Sequence, residues 1–148
     1  MDDTAIRILG HAAQGLCCSQ ILIQLALEDM GEENVPLVRA MAGLCNGVGI
    51  GSICGAASGG ACVLALYGAG GGSQEEALEC YPLMLAEFME WFQQTGPLRW
   101  GGITCDEIMG EGQGGKELES CGAIIVDVRN RILEILTAHD LDPSSPRG

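Results

Sequence analysis

Ser52-Ile53-Cys54-Gly55-Ala56-Ala57-Ser58-Gly59-Gly60-Ala61-Cys62-Val63-Leu64-Ala65-Leu66-Tyr67 is the stretch on which the fold turns. It lies inside a run, from Ala40 to Gln74, that carries no charged side chain, and glycine returns every fourth residue at Gly43, Gly47, Gly51, Gly55 and Gly59. An uncharged run of that length has to be covered by protein or lipid, and glycine at that spacing lets a second backbone approach wherever the run is helical. Ser52 suits the N-cap of a buried helix over residues 53–67, and the glycines from Gly68 to Gly72 close it. Cys54, Ser58 and Cys62 then stack along one side of that helix.

Working outward, residues 4–13 read as a first helix and Cys17 to Met30 as a second, with Gly31 as its stop. Cys18, Leu22 and Leu25 fall at i, i+4 and i+7, so Cys18 belongs to the apolar face and Cys17 is turned about 100° away. A third helix is expected from Glu33 to Cys45, with Pro36 in its first turn, and Gly47 to Ser52 is a loop. Downstream, Glu75 to Gln94 reads as one helix kinked at Pro82 or as two, its inner stripe formed by Leu78, Tyr81, Leu85, Phe88 and Phe92, and ended by Gly96-Pro97. The Met and Trp residues between Met84 and Trp100 read as core or interface. Thr104-Cys105-Asp106-Glu107 has the capping-box pattern and places Cys105 at the first position of a short helix that Gly110 ends. Gly110 to Gly115 reads as a flexible loop. A last helix spans Glu117 to His139, with Leu118, Cys121, Ile125, Val128, Ile132 and Ile135 on one face.

No strand-length stretch alternates cleanly, so the class is all-α: a single-domain bundle of five to seven helices around a Gly/Cys-rich central helix. The 148 residues suit one domain, covering 1–139, with 140–148 as a flexible polar tail. Aromatics are only 4% of the chain, so the core must be built from Leu, Ile, Ala, Val and Met around small residues.

Twenty acidic against seven basic residues give a formal charge of −13, which repels phosphate backbones and anionic membrane surfaces. Nucleic acid is therefore not expected as a partner. Membrane insertion is not expected either, because Asn46, the glycines between 47 and 51 and Gly70 to Gly72 interrupt the uncharged run. Met1-Asp2-Asp3 opens acidic with no secretory pattern, and a cytoplasmic location is the expectation. Eight cysteines in a reducing compartment point to metal or redox chemistry before a disulfide scaffold.

Cys18, Cys54 and Cys121 fall on buried faces of three different helices, and Cys105 opens a fourth. Free cysteine often serves as a small core residue, but Cys18, Cys54 and Cys105 all stand near helix N-termini, where backbone N–H groups stabilise a thiolate. Burial, and the carboxylates of Asp106 and Glu107 beside Cys105, act against that stabilisation. Asp106 and Glu107 themselves serve the helix start. The chain contains no Cys-x-x-Cys, so any site is assembled by the fold, and c-type haem of the usual kind is not expected. Cys17 is the less favoured member of its pair with Cys18, because a vicinal disulfide is strained. His11 and His139 read as structural, the latter complementing a helix C-terminus. No Gly-Lys-Ser/Thr and no Gly-x-Gly-x-x-Gly after a strand supports nucleotide binding.

Gly15-Leu16-Cys17-Cys18-Ser19-Gln20, the glycine-rich approach to Cys54-Gly55-Ala56-Ala57-Ser58-Gly59, and then Cys105 and Cys121 together resemble the C_GCAxxG_C_C family of redox-active proteins. The resemblance spans most of the chain. It implies Cys18, Cys54, Cys105 and Cys121 as the redox set, either cycling between dithiol and disulfide or ligating an iron–sulfur cluster or zinc. A split-Soret cytochrome c is related to the family, but its haem attachment motif is missing here. Cys17, Cys45, Cys62 and Cys80 are additional to the family's four, and the central motif reads Cys-Gly-Ala where the name has Gly-Cys-Ala. The family's association with transporter genes implies a redox or transporter-associated protein partner. The rival expectation is a non-catalytic structural or partner-binding module, with cysteines as core filler or structural zinc ligands. Homodimerisation through the glycine-rich helix is a further expectation.

Overall fold

A computed structural model describes residues 3–110 and 117–145. Seven helices follow one another: α1 (Asp3–Ala13), α2 (Cys18–Met30), α3 (Val35–Met41), α4 (Gly55–Gly68), α5 (Tyr81–Arg99), α6 (Cys105–Met109) and α7 (Glu117–Ala138). The described residues contain no strand, and the chain is an all-α bundle. None of these helices is long and apolar enough to cross a membrane.

The central element is α4, which packs against α2, α5 and α7. Its glycines explain how three neighbours fit around it. A Cβ on Gly59 would stand 2.7 Å from the Ser19 Cα on α2, and one on Gly60 would stand 2.5 Å from the Phe88 ring on α5. The glycine face expected to receive a second copy of the chain is thus occupied at Gly59 by α2. The four-residue spacing hides two different requirements, because Gly47 and Gly51 lie outside any α-helix and take φ values of 62° and 75°, a region that favours glycine. Gly59→Ala is expected to cost about 1–3 kcal/mol, the usual penalty for forcing atoms into a filled core. A urea unfolding midpoint equal to that of the parent protein would contradict the close α2–α4 approach.

The core follows from the helical faces. Ile21, Leu22, Ile23, Leu25, Ala26 and Leu27 are all buried, so α2 is enclosed on nearly every side. On α5 the buried register is Met84, Phe88, Phe92 and Gly96. Leu78, Tyr81 and Leu85 of the expected stripe are only half-buried. On α7 it is Ile124, Ile125, Val128, Ile132, Ile135 and Leu136, while Leu118 lies outside the residues whose side chains are described. Phe88, Trp91, Phe92 and Trp100 form a cluster with ring centroids 5.3–6.3 Å apart. Asp29 at the end of α2 holds Arg129 of α7 at 2.8 Å and Arg7 of α1 at 3.4 Å, which ties three helices together.

Several boundaries differ from the sequence expectation, each for a local reason. The Asn34 side chain accepts from the Leu37 amide at 3.1 Å and starts α3 at Val35, and the chain leaves the α-helix at Met41 for a tight turn over Ala42–Leu44. The Pro82 expected to kink a helix sits in the first turn of α5, where its missing N–H has no partner to lose. Residues 75–80 are non-helical, with the Leu78 amide donating to the Gly68 carbonyl at 2.8 Å. Gly96-Pro97 does not end α5, which runs on to Arg99. Glycine before proline lacks the Cβ that normally opposes the α conformation there, and the Gly96 carbonyl still accepts from the Trp100 amide at 2.8 Å.

Both histidines pair with carboxylates, His11 with Glu28 and His139 with Glu87, each at 3.0 Å. In the segment after α7 the Tyr67 hydroxyl donates to the Pro143 carbonyl at 2.7 Å. Past Gly110, the expected loop up to residue 115 lies outside the described residues.

Candidate thiol site

Ser52 does not cap α4. The backbone there runs extended and pairs with the segment before α6: the Cys54 amide donates to the Ile103 carbonyl at 2.9 Å, and the Cys105 amide donates to the Ser52 carbonyl at 2.7 Å. Cys54 itself becomes the N-cap of α4. Thr104 caps α6 as expected, its hydroxyl accepting from the Glu107 amide while the Glu107 carboxylate accepts from the Thr104 amide, both at 3.1 Å. The Thr104 amide, then the Ile103 amide and the Thr104 hydroxyl, all donating to the carboxylate, keep the Glu107 carboxyl below the usual carboxylate range. The helix starts that carry Cys54 and Cys105 are thereby hydrogen-bonded to one another.

A cavity of about 310 Å³ opens where α1, the start of α2, the start of α4, α6 and α7 meet. Cys18, Cys54, Cys105 and Cys121 all line it, together with Cys17. The rest of the wall is mainly apolar, with Ile8, Leu16 and Ile125 among its residues. The Cys121 thiol, followed by burial and the nearby Cys54 sulfur, pushes the Cys18 thiol well above the ordinary range. Burial also pushes Cys54 up, while the amides of Ala56 and Ala57 at the start of α4 pull it part of the way back and the sulfurs of Cys121 and Cys105 add to the rise. Cys121 also lies 3.9 Å from the Met109 sulfur. Of the three remaining cysteines, Cys62 and Cys80 stand away from this wall, half-buried in α4 and before α5.

A further pair had no signature in the spacing. Cys17 and Cys45 are joined as a disulfide, with Cα atoms 6.1 Å apart. Cys17 was discounted because a bond to its chain neighbour is strained, but its partner is 28 residues away. The Ser19 hydroxyl, fully buried, lies 3.4 Å from each of these two sulfurs and donates to the Met41 carbonyl at 2.8 Å. A serine on the apolar side of α2 was the one available hint.

Four thiols have the donor chemistry that an iron–sulfur cluster or zinc requires. Among the described residues, however, no three His, Cys, Asp or Glu side chains come together in an arrangement that could hold a metal ion. The geometry fits thiol chemistry.

The sequence pattern of the family described as "Putative redox-active protein (C_GCAxxG_C_C)" matches residues 16–135. The chain belongs to this family. The match takes in Cys18, Cys54, Cys105 and Cys121, and also Cys17 and Cys45. Comparison with curated proteins and with solved structures gives no match.

The raised thiols set a pH dependence for stability. Cys18, Cys54 and Cys62 are all shifted upward, the last by burial. In the unfolded chain they ionise near the ordinary value of about 8.5, whereas the folded chain holds their protons to higher pH. Their contribution is full below about pH 8.5 and is lost as pH rises further. The fully reduced protein is expected to unfold at lower urea at pH 10 than at pH 7, and a midpoint that rises over this interval would contradict the shifts.

Proposed function

We propose that this protein is a thiol–disulfide redox protein whose cavity thiols Cys18, Cys54, Cys105 and Cys121 cycle between dithiol and disulfide, with Cys18 and Cys121 as the exchanging pair. The observation that carries this reading is that Cys18 and Cys121, carried by two helices remote in sequence, line one cavity, where the Cys121 thiol acts on Cys18. Oxidation joins the two sulfurs and releases two protons and two electrons, which pass to the disulfide of a partner protein by thiol–disulfide exchange. The neighbouring Cys121 thiol and burial keep reduced Cys18 protonated, so transfer waits for a partner that can take up the proton and the electrons together. A net charge of −13 favours a partner with a basic docking face.

The test is a redox titration in glutathione and dithiothreitol buffers between about −150 and −350 mV, reading free thiols and mapping disulfides by mass spectrometry. A Cys18–Cys121 bond that appears and disappears reversibly within that window is the expected result. A thiol count unchanged across the window would remove the reading. Iron and inorganic sulfide at a fixed ratio to protein after anaerobic purification would replace it with a cluster.

A further inference from the structure

We propose that the Cys17–Cys45 bond is the entry point of an internal disulfide relay, through which an oxidising equivalent taken up at the rim of the cavity is passed to Cys18 and Cys121 inside it. This rests on the dithiol reading above and adds a donor to it. Three features place the two pairs in register.

Cys17 and Cys18 are joined by one peptide bond and both line the cavity, so the rim disulfide and the inner thiol are neighbours in space as in sequence. A bond between these two is strained, which leaves Cys45 as the sulfur for Cys18 to attack. Gly55 packs against both residues: a Cβ at its position would lie 3.7 Å from Cys18 Cβ and 3.9 Å from Cys45 Cα, with the Leu44 carbonyl oxygen at 3.3 Å.

Ser19 equips the rim pair to exist in its reduced form. Its one hydrogen is committed to the Met41 carbonyl at 2.8 Å, so its oxygen faces the Cys17 and Cys45 sulfurs, each at 3.4 Å, with acceptor capacity only. Once the disulfide opens, each new S–H has an acceptor in place. Both rim cysteines are half-buried and the adjoining Asn46, also on the cavity wall, is exposed, so an oxidant can reach this pair from outside.

The exchange runs in two substitutions. Cys18 Sγ bonds to Cys45 Sγ as the Cys45–Cys17 bond breaks, and the Cys18 proton passes to the departing Cys17 sulfur. Cys121 Sγ then bonds to Cys18 Sγ as the Cys18–Cys45 bond breaks, and Cys45 leaves. One disulfide and two thiols become one disulfide and two thiols, with the two protons ending on Cys17 and Cys45. No external oxidant or reductant is consumed.

The full chain is reduced, freed of reductant without air, given one equivalent of oxidised glutathione and quenched by alkylation at intervals for disulfide mapping. In the parent protein Cys17–Cys45 is expected to appear first and to decline as Cys18–Cys121 rises. In Cys45→Ser, and in Cys45→Ala as a second variant that adds no hydroxyl beside Ser19, Cys18–Cys121 is expected to form at least about tenfold more slowly. Cys121→Ser is expected to stop the relay after its first step and accumulate the Cys18–Cys45 linkage. Formation of Cys18–Cys121 at the parent rate in both Cys45 variants would overturn the relay and leave the dithiol function standing. Absence of Cys18–Cys121 from every protein, parent included, would overturn the function and the relay with it.

Discussion

Cys121→Ser is expected to leave the protein folded and to abolish the reversible Cys18–Cys121 bond completely. Cys121 is half-buried at the cavity wall, and its sulfur contacts Met109 at 3.9 Å and Cys18. Serine is smaller and carries its own donor and acceptor, so the structural loss should stay near the level of one ordinary hydrogen bond, about 1 kcal/mol. The chemical loss is total, because an alcohol cannot form a disulfide. Redox titration with disulfide mapping separates the two effects when urea unfolding is followed on the same samples. Cys62→Ser provides the contrast, since Cys62 does not line the cavity and its replacement is expected to leave the titration unchanged. A Cys121→Ser protein that retained a reversible two-thiol change at cysteines other than Cys17, Cys18 and Cys45 would assign the chemistry to another pair.

Phe88→Ala is expected to cost about 3–5 kcal/mol, the range for removing a buried phenylalanine. Phe88 is fully buried, and its ring sits over the bare backbone of Gly60, with Val128 of α7 beside the same spot. It also stacks near Trp91 and Phe92, at 6.0 and 6.3 Å between centroids. One side chain therefore fills the contact shared by α4, α5 and α7. Gly60 has no side chain to extend into the space it would leave. Phe88→Leu, which retains most of the apolar volume, is expected to recover much of the difference. A Phe88→Ala protein within about 1 kcal/mol of the parent in urea unfolding would show that the three-helix contact is not the centre of stability.

How far the fold was legible depended on whether a signal was local. Gly31 stops α2 where expected because its φ of 73° is a property of that residue alone, and the Thr104–Glu107 box starts α6 for the same reason. The cap of α4 was misplaced by two residues because the cause is not local. The backbone from Ser52 to Cys54 is drawn into extended pairing with Ile103 and Cys105, about fifty residues on, and no pattern within residues 46–54 announces that partner. Pro97 misled in the opposite direction, since a strong breaker was neutralised by the glycine before it. The site divided in the same way. The helical faces assigned Cys18 and Cys121 to the interior because periodicity reports burial. The pairing of Cys17 with Cys45 required the path of α3 and its following turn, which only the assembled bundle supplies.

The reciprocal amide bonds between residues 52–54 and 103–105 carry one last implication. They use main-chain atoms alone, so the jaws that hold Cys54 opposite Cys105 do not depend on which side chains occupy positions 52, 53 and 103. Exposed Ser52 can be exchanged to suit different visiting molecules while the grip on both thiols stays the same, whereas Ile53 and Ile103 also pack against the core. Proline at either end of that clasp, lacking the required N–H, is the substitution it has no means to absorb.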